Sequence, residues 1–324
     1  MESAHHPDER DEMRALLLGA RGAVGRVIRR ELGRDGHHVT AAGRTAPGDA
    51  GVDLAGDLDA LSRLAATHDV VVNASGIERA DAVRAVGSTP FVDISATGGY
   101  LDALRAFGDA PVLLGAGLVP GLSTVLTASL DTRQGDDVDV LVMLGTGERH
   151  GPAAVAWTAG LVGADVYRPP EGGAVRNLRS SIRAEGPDGR TRRYLRADFP
   201  DHILLGGAGG PAIRSYLTLG SAPMTASLAV VGRVPALRGL LERAPHVGSD
   251  AWHVVARNRR TGERRQAAGA GQSEATGRLT ALAALRIAED PPTRPVTMAD
   301  VVGLDDALGV LSRAHELSRT RDQE

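Results

Sequence analysis

Three glycines near the start of the chain have the types and spacing needed to hold the phosphates of a nucleotide. They lie in Gly19-Ala20-Arg21-Gly22-Ala23-Val24-Gly25, which follows a short apolar run ending at Leu18. Apolar residues then recur at helical spacing, and a second apolar run follows at residues 39–43. Backbone N–H groups at a helix N-terminus can bind a pyrophosphate only where no side chain blocks its approach. The segment therefore predicts a strand, a glycine turn and a helix that bind a dinucleotide, and an ordinary structural turn is the alternative.

The end of the second predicted strand indicates which nucleotide is bound. An acidic side chain there would accept a hydrogen bond from the 2′-hydroxyl of NAD, whereas arginine suits the 2′-phosphate of NADP. This chain has Arg44 followed by Thr45, and Arg21 in the glycine loop is a second candidate clamp. The alternative is that both arginines are solvated surface side chains. The pattern favours NADP(H) over NAD(H).

Two later strands end in small polar residues that are expected to face the same cofactor. One ends in Asn73-Ala74-Ser75-Gly76, and the other is followed by Ser95 and Thr97. Ligands of open parallel sheets lie beyond the carboxyl ends of the strands, where the strand order reverses. These residues are therefore predicted to contact the ribose and the nicotinamide. Turn formation is the alternative, because Asn, Ser and Gly are common turn residues.

Hydride transfer from a nicotinamide also needs a proton donor and a wall that excludes water. Arg149 and His150 are the first candidates, because they lie between a predicted strand and a predicted helix, and a helix N-terminus also attracts an anion. Tyr100, after the turn formed by residues 97–99, is a further candidate donor. The alternatives are a solvent-facing loop for Arg149 and His150 and a half-buried helix start for Tyr100.

The composition narrows the chemistry by what it lacks. The 324 residues include no cysteine and no lysine, which excludes thiol nucleophiles, Schiff-base lysines, the P-loop lysine and thiolate metal sites. No metal site is predicted, because neither histidine pair has ligand partners at suitable spacing. The net charge of −3 gives no electrostatic reason to expect nucleic acid or a membrane surface as a partner. Short apolar runs and a polar N-terminus lead us to expect a cytoplasmic protein.

Strands and helices alternate over residues 15–117, which is typical of a parallel sheet covered by helices on both faces. The strands predicted there are 16–18, 39–42, 52–54, 70–72, 91–94 and 112–114. Later strands cluster at 138–144, 177–183, 190–197, 213–219, 253–259 and 264–268, which predicts one mixed or antiparallel sheet. We therefore expect an α/β protein with a disordered tail (1–13), a doubly wound Rossmann domain (14–125), an α+β substrate and dimerisation domain (126–270) and a helical segment that returns to the Rossmann domain (271–324).

Several motifs resemble, in order and spacing, those of the saccharopine dehydrogenase-like reductases. They are the glycine loop with Ala42-Gly43-Arg44, the stretch Phe91-Val92-Asp93-Ile94-Ser95, the stretch from Gly115 to Ser123, and a closing segment from Ala270 to Thr276. The resemblance covers most of residues 14–130 and about 250–312. It implies a Rossmann domain, a substrate domain built on a mixed sheet, a nicotinamide cofactor and hydride transfer.

Two classes of function remain open at this point. The first is an NADP(H)-dependent reductase acting on an imine, enoyl or carbonyl group of a small molecule. The second is a redox-silent NADP(H)-binding sensor or scaffold, and a non-redox isomerisation or cyclisation with bound nicotinamide cannot be separated from the first. A homodimer is expected from the second sheet. The arginine-rich segment from Arg176 to Arg196 predicts a solvated sheet face, and the alternative is docking of a phosphorylated or carrier-protein-bound substrate.

Overall fold

The computed structural model describes residues 12–46, 50–148, 152–207, 209–239 and 248–321. These residues form two six-stranded sheets. The chain builds most of the first sheet, crosses to the second and then returns to the first. This arrangement confirms the predicted α/β protein with a parallel sheet followed by a mixed sheet.

The first sheet is parallel throughout and has helices between its strands. In chain order its elements are β1 (Arg14–Leu18), α1 (Ala23–Arg34), β2 (His38–Ala42), α2 (Asp59–Ala65), β3 (Val70–Asn73), α3 (Ala82–Val86), β4 (Phe91–Asp93), α4 (Gly98–Arg105), β5 (Val112–Leu114) and α5 (Leu122–Ala128). The strands are arranged in the order β5-β4-β3-β1-β2, so the order reverses between β1 and β3. A crevice for a ligand is expected beyond the carboxyl ends of these two strands.

The strand register brings the loops of this sheet to one level. Leu18 at the end of β1 pairs with Ala42 of β2 on one side and with Asn73 of β3 on the other. Asn73 in turn pairs with Asp93 of β4. The loops that follow these four strands therefore open onto the same edge of the sheet.

The predicted strand at residues 52–54 is wrong. In the described part of this region, a single parallel bridge between Gly43 and Gly51 continues the sheet beyond β2. Val52 and Leu54 are nevertheless buried and belong to the same apolar cluster as Leu16 and Leu18. The apolar pattern there indicated burial beside the edge of the sheet and not strand pairing.

The second sheet is mixed, as predicted. Its elements are β6 (Asp137–Leu144), α6 (Pro152–Gly160), β7 (Ser181–Glu185), β8 (Thr191–Arg196), α7 (Asp201–Leu204), β9 (Ala212–Leu219), α8 (Ala222–Arg233), β10 (Ala251–Asn258) and β11 (Arg264–Ala270). The strand order is β11-β10-β6-β9-β8-β7. Strands β6 and β9 are parallel, and the other neighbouring pairs are antiparallel.

This second sheet curls until its two edge strands touch. Arg264 of β11 donates a hydrogen bond to the Glu185 carbonyl oxygen of β7, with 2.7 Å between the atoms. Across the enclosed face, the Tyr194 hydroxyl of β8 and Nε2 of His253 on β10 are 2.8 Å apart. The inner face therefore has a small core of its own, formed by Leu141, Ala184, Tyr194, Tyr216 and Val255.

The last elements of the chain pack back onto the first sheet. They are α9 (Gln272–Glu289), β12 (Val296–Thr297), α10 (Met298–Val301) and α11 (Leu304–Arg321). Strand β12 pairs with β5 in parallel and becomes the sixth strand. Helix α9 lies so close to α1 that a Cβ on Gly277 would be 2.4 Å from Cβ of Val27. None of the described helices combines the length and apolar character needed to cross a membrane.

Candidate active site

The glycine loop is built by close backbone packing. Gly19 has φ +82°, and a Cβ there would lie 2.4 Å from the carbonyl oxygen of Ala74 in the loop after β3. A Cβ on Gly25 would lie 2.2 Å from the Gly19 carbonyl oxygen. The Gly22 N–H donates to that same oxygen over 2.9 Å and closes the turn. The glycines therefore let β1, α1 and the loop after β3 meet at one place.

The N-terminus of α1 has free hydrogen-bond donors at this place. Gly22 precedes the helix, no side chain caps it, and its first turn has no acidic residue. Because the first N–H groups of a helix have no partner within it, those of Ala23, Val24 and Gly25 remain for a ligand. The positive end of the helix dipole adds to their attraction for an anion. This geometry would suit the pyrophosphate of a dinucleotide.

Two arginines lie at the neighbouring end of β2. Nη1 and Nη2 of Arg21 donate to Oγ1 and the carbonyl oxygen of Thr45, each over 2.6 Å. The exposed Arg44 side chain makes no hydrogen bond or ion pair with any other residue that the structure describes. Arg21 is thus held across the gap between the glycine loop and β2, and Arg44 beside it is unpaired. Together they offer one fixed and one free guanidinium group to a phosphate.

Asn73 organises the opposite end of the crevice. This side chain is buried and donates from Nδ2 to Asp93 Oδ2 over 2.8 Å and to the Ile77 carbonyl oxygen over 3.1 Å. Its Oδ1 accepts hydrogen bonds from the Ser75 hydroxyl and the Ser75 N–H, at 2.6 and 3.2 Å. Both amide hydrogens and the oxygen are therefore used within the protein. Asn73 joins the loops that follow β3 and β4.

Asp93 is a fully buried carboxyl group at the end of β4. It accepts hydrogen bonds from the Ser95 N–H at 2.7 Å, from Asn73 and from the Tyr100 hydroxyl at 2.9 Å. Burial raises the pKa of Asp93, and these donors oppose that shift. Burial also raises the pKa of Tyr100, and the neighbouring Asp93 charge raises it further. The phenol therefore keeps its proton at neutral pH and directs it at Asp93.

A second carboxyl group, that of Glu78, approaches the same edge from the loop after β3. Partial desolvation raises the pKa of Glu78, and the charge of the neighbouring Asp93 raises it further. Glu78 itself is exposed to solvent, whereas Asp93 is fully buried. This edge of the sheet therefore has one exposed and one buried carboxyl group.

No protein-family model matches the sequence, and no curated protein matches it. The structure is similar to an engineered D-amino acid dehydrogenase bound to NADP+, with 13% identity, 90% of this chain and 94% of that chain covered, and a TM-score of 0.43. It is similar to C. glutamicum DAP dehydrogenase in complex with DAP, with 14% identity, coverage of 92% and 98%, and a TM-score of 0.43. A third similar structure is dipicolinate-bound dihydrodipicolinate reductase from Paenisporosarcina sp. TG-14, with 12% identity, coverage of 90% and 100%, and a TM-score of 0.40.

The predicted cofactor residues lie along one edge of the first sheet, beyond the carboxyl ends of its strands. The glycine loop, Arg21, Arg44 and Thr45 line one end, and Asn73, Ala74, Ser75, Ser95 and Thr97 line the other. Their contacts with a cofactor stay predictions. Tyr100 lies at the same end, 8% exposed and bonded to Asp93, and its catalytic role also stays a prediction. Arg149 and His150 lie outside the described residues.

The residues next to that gap connect the second domain to the crevice. The Glu148 carboxylate accepts hydrogen bonds from the N–H groups of Gln272 and Ser273, at 2.6 and 3.1 Å, and so caps α9. On α6, the Trp157 indole N–H donates to the Ala96 carbonyl oxygen over 3.3 Å. Both ends of the connection from β6 to α6 are therefore fixed beside the domain built on the first sheet.

Sequence reasoning missed Asp93 and Glu78 as members of the site. Asp93 could have been predicted from its position, because a carboxylate at the end of a buried parallel strand faces the ligand edge of the sheet. Glu78 gave no such indication, because it lies in a charged stretch with Arg79 and Asp81, which resembles an ordinary solvated loop. Its place becomes apparent only from the pairing of β3 with β4, which brings the loops after these strands to one edge.

Proposed function

We propose that this protein is an NADP(H)-dependent reductase of the saccharopine dehydrogenase-like type that acts on an imine, enoyl or carbonyl group of a small molecule. The observation that carries the proposal is the arrangement of Arg21 and Arg44 beside the uncapped N-terminus of α1. A pyrophosphate fits the helix N-terminus, and a 2′-phosphate fits the two guanidinium groups. An adenosine ribose bound between them would lie at the end of β2.

The opposite end of the crevice supports the reductase part of the proposal. A bound nicotinamide supplies a hydride from its C4 atom, and the protein must position the acceptor and provide a proton. Glu78 and the pair formed by Tyr100 and Asp93 are the titratable groups at this edge of the sheet. The connection through Trp157 brings the second domain beside this end, where an acceptor would be enclosed.

The nucleotide preference is tested by titrating the protein with NADPH and with NADH and following nicotinamide fluorescence. We expect Arg44→Ala to weaken NADPH binding by about 1.5–3 kcal/mol, the scale for hydrogen bonds to charged groups, and to leave NADH binding unchanged. Arg29→Ala is the matched control, since this exposed arginine lies on α1 away from its N-terminus. Equal losses for both nucleotides, or NADH binding as tight as NADPH binding, would contradict the proposal.

Turnover is tested next, by measuring NADPH oxidation with a panel of small imines, enoyl thioesters and carbonyl compounds. Oxidation that depends on one acceptor class identifies the bond that is reduced. Tight NADPH binding without any turnover would instead favour the sensor or scaffold. A homodimer also stays a proposal, and sedimentation of the purified protein with and without NADPH tests it.

A further inference from the structure

A pocket of about 440 Å³ lies where α4 meets the second domain. Asp102 of α4 lines one side of it, and Arg168, in the segment between α6 and β7, lines another. Its apolar walls include Pro170, Ile203 and Pro211. The volume is within the range of sites for small molecules, and the walls come from both domains.

Arg168 is held in a strained backbone conformation at this pocket. Its φ is +43°, in the left-handed region, and the next residue is Pro169. A residue before proline prefers an extended backbone, and positive φ is uncommon for a residue with a large side chain. Such strain persists only where the surrounding contacts over-determine it, and it is found at ligand clamps. The strain therefore indicates that the position of this guanidinium group matters beyond stability.

Arg168 and Asp102 form an ion pair between the two domains. Nη1 of Arg168 donates to Asp102 Oδ2 over 2.6 Å, and the Tyr167 hydroxyl donates to the same oxygen over 3.0 Å. Oδ1 of Asp102 and the Nε and Nη2 atoms of Arg168 make no hydrogen bond with any residue that the structure describes. The pair therefore keeps one acceptor and two donors for a ligand.

Tyr167 fixes this ion pair against the start of α4. A Cβ on Gly98 would be 3.3 Å from Tyr167 Cδ1, so the ring lies on the first turn of that helix. The Tyr167 N–H donates to Asp198 Oδ2 over 3.0 Å, and Nε2 of the buried His202 is 2.7 Å from the Tyr167 carbonyl oxygen. Both the ring and the backbone next to Arg168 are thus held in place.

We propose that this pocket is a second small-molecule site, which binds a zwitterion with an apolar body, the chemistry of an α-amino acid with an apolar side chain. The ligand carboxylate accepts hydrogen bonds from Nε and Nη2 of Arg168, and its ammonium group donates to Asp102 Oδ1. Its apolar part lies against Pro170, Ile203 and Pro211. A simple anion fits less well because of the Asp102 charge, and a simple cation fits less well because of the Arg168 charge.

The pocket is separate from the predicted cofactor site but connected to it through α4. None of the predicted cofactor residues, all of which the structure describes, lines the pocket. Asp102 follows Thr97 by five residues, which is about 7.5 Å along a helix. A ligand that joins Asp102 to Arg168 holds α4 in the arrangement in which Tyr100 donates to Asp93.

The ligand should therefore tighten NADPH binding, and NADPH should tighten binding of the ligand by the same factor. This coupling rests on the proposed function, whereas the pocket itself does not.

The first test is isothermal titration calorimetry of the full-length protein with L-leucine, L-methionine and L-phenylalanine, without nucleotide. At least one of them should bind. Its N-acetyl and amide derivatives each lack one of the two charges and should bind at least about tenfold more weakly, and Asp102→Asn should weaken the amino acid to a similar extent. The matched control is Asp306→Asn, which breaks an exposed ion pair with Arg286 and should bind as wild type does.

A second variant fills the pocket and leaves the ion pair intact. Ala212 lines the pocket at the start of β9 and is partly exposed. Ala212→Leu should abolish binding of the amino acid, and it separates loss of the pocket from loss of the contact between the domains. With the amino acid at saturation, NADPH should bind wild type at least about fivefold more tightly, and Ala212→Leu should show no such gain.

The outcomes distinguish the pocket from the proposed function. Failure of wild type to bind any of the three amino acids, or undiminished binding by Ala212→Leu, would overturn the site. Equal affinity for the amino acid and its two derivatives would overturn recognition of a zwitterion. An NADPH affinity that the bound amino acid leaves unchanged would overturn the coupling. If wild type binds no nucleotide, the proposed function fails, and the calorimetry still decides the pocket.

Discussion

Two buried tyrosines form similar hydrogen-bonded pairs in very different places. Tyr100 donates to Asp93 over 2.9 Å at the carboxyl edge of the first sheet. Tyr194 and His253 are 2.8 Å apart on the enclosed face of the second sheet. The first pair lies beside Thr97, whose carbonyl oxygen accepts a hydrogen bond from the Tyr100 N–H over 3.1 Å. The second pair lies under the hairpin turn, where a Cβ on Gly186 would be 3.0 Å from the His253 ring. The comparison teaches that access from the strand ends, and not burial or pairing, distinguishes a candidate site from a structural pair.

The electrostatics of the two pairs differ in the same sense. Burial lowers the pKa of His253 to about 4 and raises the pKa of Tyr194 to about 12, so both are neutral near pH 7. The Asp93 charge, in contrast, raises the pKa of both Tyr100 and Glu78. The enclosed pair is therefore expected to act on stability, and the pair at the sheet edge on chemistry.

The largest expected effect is the loss of stability on truncating Tyr194, a member of the enclosed Tyr194–His253 pair. Tyr194→Ala removes a ring with no exposed surface from the inner core of the second sheet. We expect the free energy of unfolding to fall by about 3–5 kcal/mol, as for other large-to-small changes in a core. Urea unfolding followed by circular dichroism measures the loss. The NADPH affinity of the folded variant should equal that of wild type. A large change in affinity would contradict a purely structural role for Tyr194.

The pH dependence of stability tests the same pair with a smaller effect. The pKa of His253 is about 4 in the folded protein and about 6.5 when unfolded, so the unfolded state binds the proton first as pH falls. Its contribution is fully present above pH 6.5 and is lost as pH falls towards 4, by up to about 3 kcal/mol. His253→Gln keeps an acceptor for Tyr194 and should lack this loss. The difference between the two unfolding free energies, measured from pH 4 to pH 7, should therefore change steadily with pH, and a constant difference would contradict the assignment.

The smallest expected effect compares the two hydroxyl groups directly. Tyr100→Phe and Tyr194→Phe each remove one buried hydroxyl, at a cost of about 1 kcal/mol in the free energy of unfolding. We expect the Tyr100 variant alone to change the pH dependence of NADP+ binding, because it removes a donor from Asp93 beside Glu78. Thermal unfolding and NADP+ titration of both variants provide the measurement. Equal nucleotide behaviour in the two variants would remove the functional distinction between the pairs.

Local patterns predicted much of this fold. The glycine loop, the parallel strands and the hairpin between β7 and β8 each have a signal within about ten residues, and the structure confirms these elements. β12 had no such signal, since two residues acquire their meaning only by pairing with β5, which lies far away in the chain. The prediction of a strand at residues 52–54 is wrong for the opposite reason, since a local signal was present without any strand. An alternation of apolar residues also occurs where side chains are buried without strand pairing.

The candidate site was predictable only where its residues act through their own loop. The glycines and Arg44 have roles that follow from their position after a strand. Asn73 is different, because its partners are the neighbouring loop and Asp93, which is twenty residues later in the chain. The loops that carry Glu78 and Thr97 open on one edge because β3 pairs with β4, and residue types alone do not reveal this.

The return of the chain to the first sheet makes the domain built on that sheet discontinuous. Residues 14–128 hold the glycine loop and five strands, but β12 and the helix packed on α1 come from residues 272–297. The mixed sheet is therefore an insertion within a single folding module. A fragment cut after α5 would leave the Val27 face of α1 and the edge of β5 uncovered. The minimal module is two stretches of chain joined by a short linker in place of the insertion, and the proposed nucleotide site would lie wholly within it.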